Sequence, residues 1–227
     1  MVFFKELPLQ FCSGCTKMTA SQGLCEECWT QIQFITQPIC RKCGMQLPYA
    51  LEVCEFCFKN KQYYSFDKLR SAIKYDKVTK KLIMKFKNYH DFSLLPIFAR
   101  WLSIIIKDIH VDYIIPIPLH WIRLWWRGYN QALIISQALQ KIISVPILLD
   151  VLQRNKYTFS QSFFKKSERL KNVENIFSIH NYEILRNKTI VLIDDVTTTK
   201  ATFNAASRVF KSTINCNIVC LSIAQTY

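Results

Sequence analysis

Ile190-Val191-Leu192-Ile193-Asp194-Asp195-Val196-Thr197-Thr198-Thr199-Lys200-Ala201-Thr202 is the stretch whose reading decides the fold. Four apolar residues, three of them β-branched, run directly into two acids, and a helix-compatible run extends from Ala201 to Lys211. A continuous apolar run of this length reads as a buried parallel strand. A hydroxyl-rich loop that opens a helix offers backbone N–H groups and a helix dipole to a phosphate. Two adjacent carboxylates at the strand end repel a phosphate, but they accept hydrogen bonds from the vicinal hydroxyls of a ribose. Strand, acid pair, threonine loop and helix together predict a sugar-phosphate site at the carboxyl edge of an α/β sheet. The plainer alternative is a solvated acidic turn with threonines as helix caps.

Working outward, the rest of the second part alternates strand and helix. A strand is predicted around Leu69–Tyr75. An amphipathic helix follows over Val78–Phe86, with Lys77, Lys80, Lys81, Lys85 and Lys87 expected on its solvated face. Phe92–Lys107 reads as a more hydrophobic helix, Asp112–Pro118 as a buried strand ended by prolines, and Gln131–Ile143 as a helix with a broad apolar face. After Thr189–Ile193 and its helix comes a last apolar strand, Asn217–Ala224. This alternation predicts a mostly parallel sheet flanked by helices.

The N-terminal part differs. Eight of the ten cysteines form Cys-x-x-Cys pairs: Cys12/Cys15, Cys25/Cys28, Cys40/Cys43 and Cys54/Cys57. Two thiolates two residues apart bite one tetrahedral zinc through a tight turn, and two such knuckles complete the shell. Four knuckles imply two structural zinc ions. The simplest assignment joins the first two pairs and the last two, while an interleaved pairing stays open. Disulfides are the competing use of these cysteines, and a cytosolic chain argues against them. Cys216 and Cys220, in an apolar stretch, read as ordinary buried residues. The predicted division is residues 1–60, a double zinc ribbon, and 61–227, the α/β domain.

Charge follows the same division. The net charge is +14; residues 1–60 carry five basic and five acidic residues, and residues 61–227 carry 25 basic and 11 acidic ones. The excess lies in the α/β part and favours polyanions such as nucleic acid or phosphate esters. No signal peptide or membrane-length apolar run is visible, so a soluble, cytoplasmic protein is expected.

Between the strand at Asp112–Pro118 and its helix lies Leu119-His120-Trp121-Ile122-Arg123-Leu124-Trp125-Trp126-Arg127-Gly128-Tyr129-Asn130. Indoles stack on splayed bases and arginines hold phosphates, so Trp121, Arg123, Trp125, Trp126 and Arg127 are candidate contacts to single-stranded DNA. Packing between sheet and helices is the competing use of the tryptophans. A second basic and aromatic stretch, Arg154 to Lys166, adds Lys165 and Lys166.

The segment from Ile190 resembles the signature of type I phosphoribosyltransferases, with Asp194, Asp195, Thr197, Thr198, Ala201 and Thr202 at matching positions and Thr199 as an ordinary variant. Pro116-Ile117-Pro118-Leu119, Arg123, Arg127-Gly128-Tyr129-Asn130-Gln131-Ala132, Arg154, Thr158, Gln161, Arg169-Leu170-Lys171-Asn172-Val173 and Phe177 resemble the ComF family of competence proteins. The resemblance covers nearly the whole chain. It implies a type I phosphoribosyltransferase-like domain behind a double zinc ribbon, and a role in natural transformation, where single-stranded DNA enters the cytoplasm.

The resemblance also implies a pocket for phosphoribosyl diphosphate with Mg²⁺. Asp194 and Asp195 would contact the ribose, and Thr197, Thr198, Thr199, Lys200, Ala201 and Thr202 would cradle the 5′-phosphate. Arg123 or Arg127 would face the departing diphosphate. A DNA helicase partner, reached through the zinc ribbon, and a peripheral place at the inner face of the cytoplasmic membrane are further implications. The alternative is an active phosphoribosyltransferase of nucleotide metabolism or salvage. Lys200 bears on that choice: it stands near the family's usual glycine, in a loop without any, and moves the expectation from turnover toward binding.

Overall fold

The computed structural model describes residues 10–20, 23–88, 91–155 and 176–226. The cysteine-rich segment carries β1 (Gln10–Phe11), β2 (Met18–Thr19), α1 (Glu26–Thr30) and α2 (Glu55–Lys59). After it come β3 (Lys68–Lys74), β4 (Tyr113–Pro116), β7 (Thr189–Thr197) and β8 (Asn217–Gln225), which form a four-stranded, wholly parallel sheet in the order β3-β8-β7-β4. Helices α3 (Lys77–Asn88), α4 (Leu95–Ile105) and α6 (Gln131–Ile143) pack on one face, and α7 (Ala201–Thr213) on the other. A short antiparallel pair, β5 (Leu152–Arg154) with β6 (Phe177–Ile179), lies on the α7 side. The expected fold class, a parallel sheet flanked by helices behind a cysteine-rich N-terminus, is the one observed.

Side chains of a strand alternate between faces. On β7, Val191 and Ile193 enter the core under α3, α4 and α6, whereas Ile190 and Leu192 enter the core under α7. All four are fully buried, which is why this strand reads as a continuous apolar run rather than an alternating one.

Both edges of the sheet are covered. Along β3, the Ile35 N–H donates to the Ala72 carbonyl at 2.9 Å, Lys74 N–H to Gln33 at 2.8 Å, and Leu69 N–H to Lys42 at 2.8 Å. Beyond β4, Ile114 N–H donates to Pro146 and Leu148 N–H to Ile114, each at 2.9 Å. The cysteine-rich segment therefore satisfies an edge strand that would otherwise offer unpaired backbone groups. Gly44 allows the close approach: its φ is +68°, and a Cβ there would lie 2.4 Å from the Leu69 carbonyl oxygen.

The structure changes two sequence expectations and adds an element where none was predicted. The strand after Thr189 runs through both acids to Thr197 instead of ending before them, because β8 pairs beside it as far as Gln225. The acids therefore sit within the strand, not beyond its end. Second, the tryptophan-rich connection folds into a helix, α5 (Trp121–Arg127), capped by the His120 side chain accepting from Ile122 N–H and ended by Gly128 at φ +78°. Third, Lys87 is not on the solvated face of α3. It lies one turn beyond Ile83, on the buried row of the helix, and points at the carboxyl edge of the sheet. Lys85 is half-buried, while Lys77, Lys80 and Lys81 are exposed.

Candidate functional site

The cysteines gather as two sets, Cys12/Cys15/Cys25/Cys28 and Cys40/Cys43/Cys54/Cys57, each with its ligand atoms within 4.8 Å of one another. The pairing is sequential, not interleaved. The Sγ–Sγ separations of 3.6 Å for Cys15–Cys25 and 3.7 Å for Cys43–Cys54 exceed a disulfide bond. They match the edge of a tetrahedron whose centre lies about 2.3 Å from each sulfur, the Zn–S distance. Backbone N–H groups point at the sulfurs, from Gly14 and Cys25 to Cys12 Sγ at 3.3 Å, and from Cys43 to Cys40 Sγ at 3.5 Å. Such donors stabilise thiolate ligands. The residues fit zinc, and with four thiolates each shell is closed, as in structural sites.

At the carboxyl edge of β7, alternation sends the two acids to opposite faces. Asp195 enters the side of α3 and is buried, and its Oδ2 lies 3.0 Å from Lys87 Nζ. Asp194 enters the other side, toward Arg154 on β5, and its Oδ1 accepts the Asp195 backbone N–H at 2.9 Å. Burial first, and then the neighbouring Asp195 charge, push the Asp194 carboxyl up to about 7 against the pull of Lys87, the Asp195 N–H and Arg154.

Arg154 is half-buried, with its guanidinium 5.5 Å over the Phe177 ring. Burial lowers its pKa, as does the Arg123 guanidinium, while Asp194 opposes them. His120, buried at the start of α5, is held below its ordinary value by burial and then by Arg154 and Arg123. Asp194, Arg154, Arg123 and His120 thus share one electrostatic neighbourhood with Lys87 and Asp195 beside it.

The loop after β7 places Lys200 at φ 63° and ψ 5°, the left-handed conformation that glycine adopts freely. A lysine therefore holds a turn that suits glycine, at the cost of strain. At the start of α7 the Lys200 side chain makes no cap, and Thr199 Oγ1 accepts from the Ala201 N–H at 3.4 Å. His120 and Asn130 do cap α5 and α6. The first turn of α7 opens beside exposed Thr198 and Thr199, and the N–H groups of a helix start are free of intrahelical partners.

On α5, Trp121, Trp125 and Trp126 are 70%, 77% and 79% exposed, and the last two meet edge-on with centroids 5.7 Å apart. Arg123 and Arg127, one turn apart, are half-buried on the other side of the helix. Core packing does not account for the tryptophans. Lys165 and Lys166 lie outside the described residues, as do Thr158, Gln161 and Arg169–Val173.

Lys87, Arg154 and His120 were absent from the candidate site residues. Lys87 carried one readable signal: at i+4 from Ile83 it continues a buried row, where a solvated lysine is out of place. Arg154 stood out only as part of the family resemblance and His120 not at all, since only the folded sheet brings β5 and α5 to β7.

A family described as a double zinc ribbon domain matches residues 7–58. The chain is 33% identical to competence protein F of Haemophilus influenzae over 203 residues, 85% of this chain and 86% of that protein. It is 23% identical to the DNA utilization protein YhgH of Escherichia coli over 189 residues, 79% of this chain and 80% of that protein. Adenine phosphoribosyltransferase from Saccharomyces cerevisiae, a solved structure, is 14% identical and covers 75% of this chain and 88% of its own, with a TM-score of 0.40. The fold class stands on the strand order, not on that likeness.

Proposed function

The chain belongs to the ComF family of competence proteins, and from that premise we propose that it handles incoming single-stranded DNA during natural transformation and holds phosphoribosyl diphosphate at the carboxyl edge of β7. The observation that carries the DNA reading is α5: a capped helix with three exposed indoles on one side and two half-buried arginines on the other. Indoles stack on bases without regard to sequence, and arginines take the phosphates. The relatives' names, competence and DNA utilization, agree with this. Fluorescence anisotropy with a labelled oligonucleotide tests it. Affinity should fall steeply as salt rises, and W125A/W126A should weaken it further. Affinity that is flat in salt, or indifferent to both indoles, refutes the DNA role.

The pocket reading rests on the acid pair, the left-handed Lys200 and a start of α7 that only a long 3.4 Å contact from Thr199 Oγ1 to the Ala201 N–H touches. Asp194 and Asp195 accept from the ribose hydroxyls, and the Thr197–Thr202 loop takes the 5′-phosphate. Mg²⁺ would arrive with the ligand. The acid edge has two carboxylates aimed at opposite faces, and an octahedral cation would complete its shell from diphosphate oxygens and water. Among the described residues, no three carboxylate or histidine groups converge on one point. Titration calorimetry of the protein and its D194A and D195A variants tests this; unchanged affinity removes the assignment.

Transferase turnover is the second reading, favoured by the glycine-like turn at Lys200. Release of diphosphate with any nucleobase would establish it. A helicase docked on the zinc ribbon, in the cytoplasm near the membrane, completes the proposed setting. Among the described residues no helix is long and apolar enough to cross a membrane. Pull-down of the helicase by the full chain, lost when exposed ribbon side chains such as Phe58 are replaced, tests the docking.

A further inference from the structure

Building on the phosphoribosyl diphosphate reading above, we propose that Lys87 is the diphosphate-binding residue of this site, parked on Asp195 while the site is empty and transferred to the ligand when the ribose hydroxyls replace it there. The Lys87–Asp195 pair differs from every other ion pair among the described residues. Its side chains are 23% and 8% exposed, whereas each remaining pair has at least one partner that is 41% exposed or more. A pair removed from water in this way loses much of its Coulomb gain to desolvation, so it is a poor device for stability alone.

The position of Lys87 is fixed from behind. Thr79, Leu82, Ile83 and Phe86 bury the preceding rows of α3. The Tyr129 hydroxyl donates to the Phe86 carbonyl, and the Tyr129 ring packs edge-on against Phe86 and Phe92 at 6.3 Å and 5.4 Å. Tyr129 directly precedes Asn130, which caps α6 and donates to the Ile117 carbonyl at 3.1 Å. The end of α3 is thereby tied to the segment that carries Arg123 and Arg127. The ammonium itself sits on a flexible stem and can turn from one anion to another without moving the backbone.

The exchange is a competition for the Asp195 oxygen that Lys87 holds at 3.0 Å. Empty, Asp195 needs a cation, since it is buried next to Asp194. With a sugar bound, two hydroxyls donate to the carboxylates, and the ammonium is released beside a ligand carrying further negative charge. An ammonium pairs well with phosphate oxygens as a point charge. No atom is transferred; one ion pair is exchanged for another.

Titration calorimetry with two ligands tests the exchange. Phosphoribosyl diphosphate carries the diphosphate; ribose 5-phosphate has the same sugar and 5′-phosphate without it. The variant K87M should weaken phosphoribosyl diphosphate about tenfold or more and ribose 5-phosphate less than about threefold, with K87R recovering part of the loss. Equal losses for both ligands would mean that Lys87 only supports Asp195, and no loss would remove it from the site; either overturns the inference. If K87M does not fold, K87Q keeps a hydrogen-bond donor for Asp195 without the charge and must show the same split. If the unaltered protein binds neither ligand, the sugar-phosphate reading itself fails, a result visible before any variant is made.

Discussion

The cysteine clusters and the acid edge of β7 are both tight gatherings of ionisable side chains, and they are held together in opposite ways. Each cysteine set is drawn from fewer than 20 consecutive residues and closes on a metal that needs those thiolates. The attraction of the charged groups for the ion is the folding force. The acid edge gathers Lys87, His120, Arg123, Arg154, Asp194 and Asp195 from α3, α5, β5 and β7. There the apolar core does the placing, and groups that repel are pressed together. Their cost is recorded in the carboxyl of Asp194, raised to about 7. Polar clusters assembled by a core carry electrostatic strain that a ligand can relieve; clusters assembled by a metal have none left over.

The largest expected effect breaks the first of these regions. Metal analysis should return two zinc ions per chain, and C40S should return one. Structural zinc binding in small domains is worth on the order of 10 kcal/mol, so C40S should unfold the Cys40–Cys57 segment. Because Leu69 N–H and the Gln225 side chain bond to the carbonyls of Lys42 and Cys43, the loss should reach β3 and β8. Hydrogen exchange of those strands measures it; unchanged protection in C40S would show that the sheet holds its edge alone.

Next comes the core beneath the acid edge. Leu192 is fully buried, and L192A should cost about 2–5 kcal/mol in denaturant unfolding. Trp126, 79% exposed, should show the reverse pattern: W126A should change stability by under about 0.5 kcal/mol and weaken single-stranded DNA by about 1–3 kcal/mol.

A smaller effect sharpens the claim of electrostatic strain. The Asp194 carboxyl titrates near 7 in the folded chain and near 4 when unfolded. Folding therefore favours its protonated form. That stabilising contribution is complete below about pH 4 and is lost as pH rises through about 7. D194N keeps the oxygen that accepts the Asp195 N–H and cannot ionise. Its melting temperature should exceed that of the unaltered protein at pH 8 by a few degrees and lose that advantage at pH 4. The smallest effect concerns the loop: K200G should relieve the left-handed strain and add about 1 kcal/mol or less, read from denaturant midpoints.

The sequence by itself determined the elements whose signals are local. Cys-x-x-Cys spacing specifies metal knuckles, and helix α6 spans Gln131–Ile143 as its apolar period requires. The apolar run before Asp194 declared a strand buried on both faces, because no alternating strand could tolerate it. Even the glycine-like turn at Lys200 was legible as a departure from a motif. Only the tertiary structure decided which cysteine pairs share an ion, how far β7 extends, and what faces each acid. Strand length here is set by β8, whose pairing carries β7 through Asp194 and Asp195 and so throws them to opposite faces. Lys87 stands more than 100 residues before Asp195, and its inward turn exists only where the buried row of α3 meets the sheet edge. Local chemistry writes turns, caps and metal knuckles; the partners of a buried charge depend on which elements the hydrophobic core brings side by side.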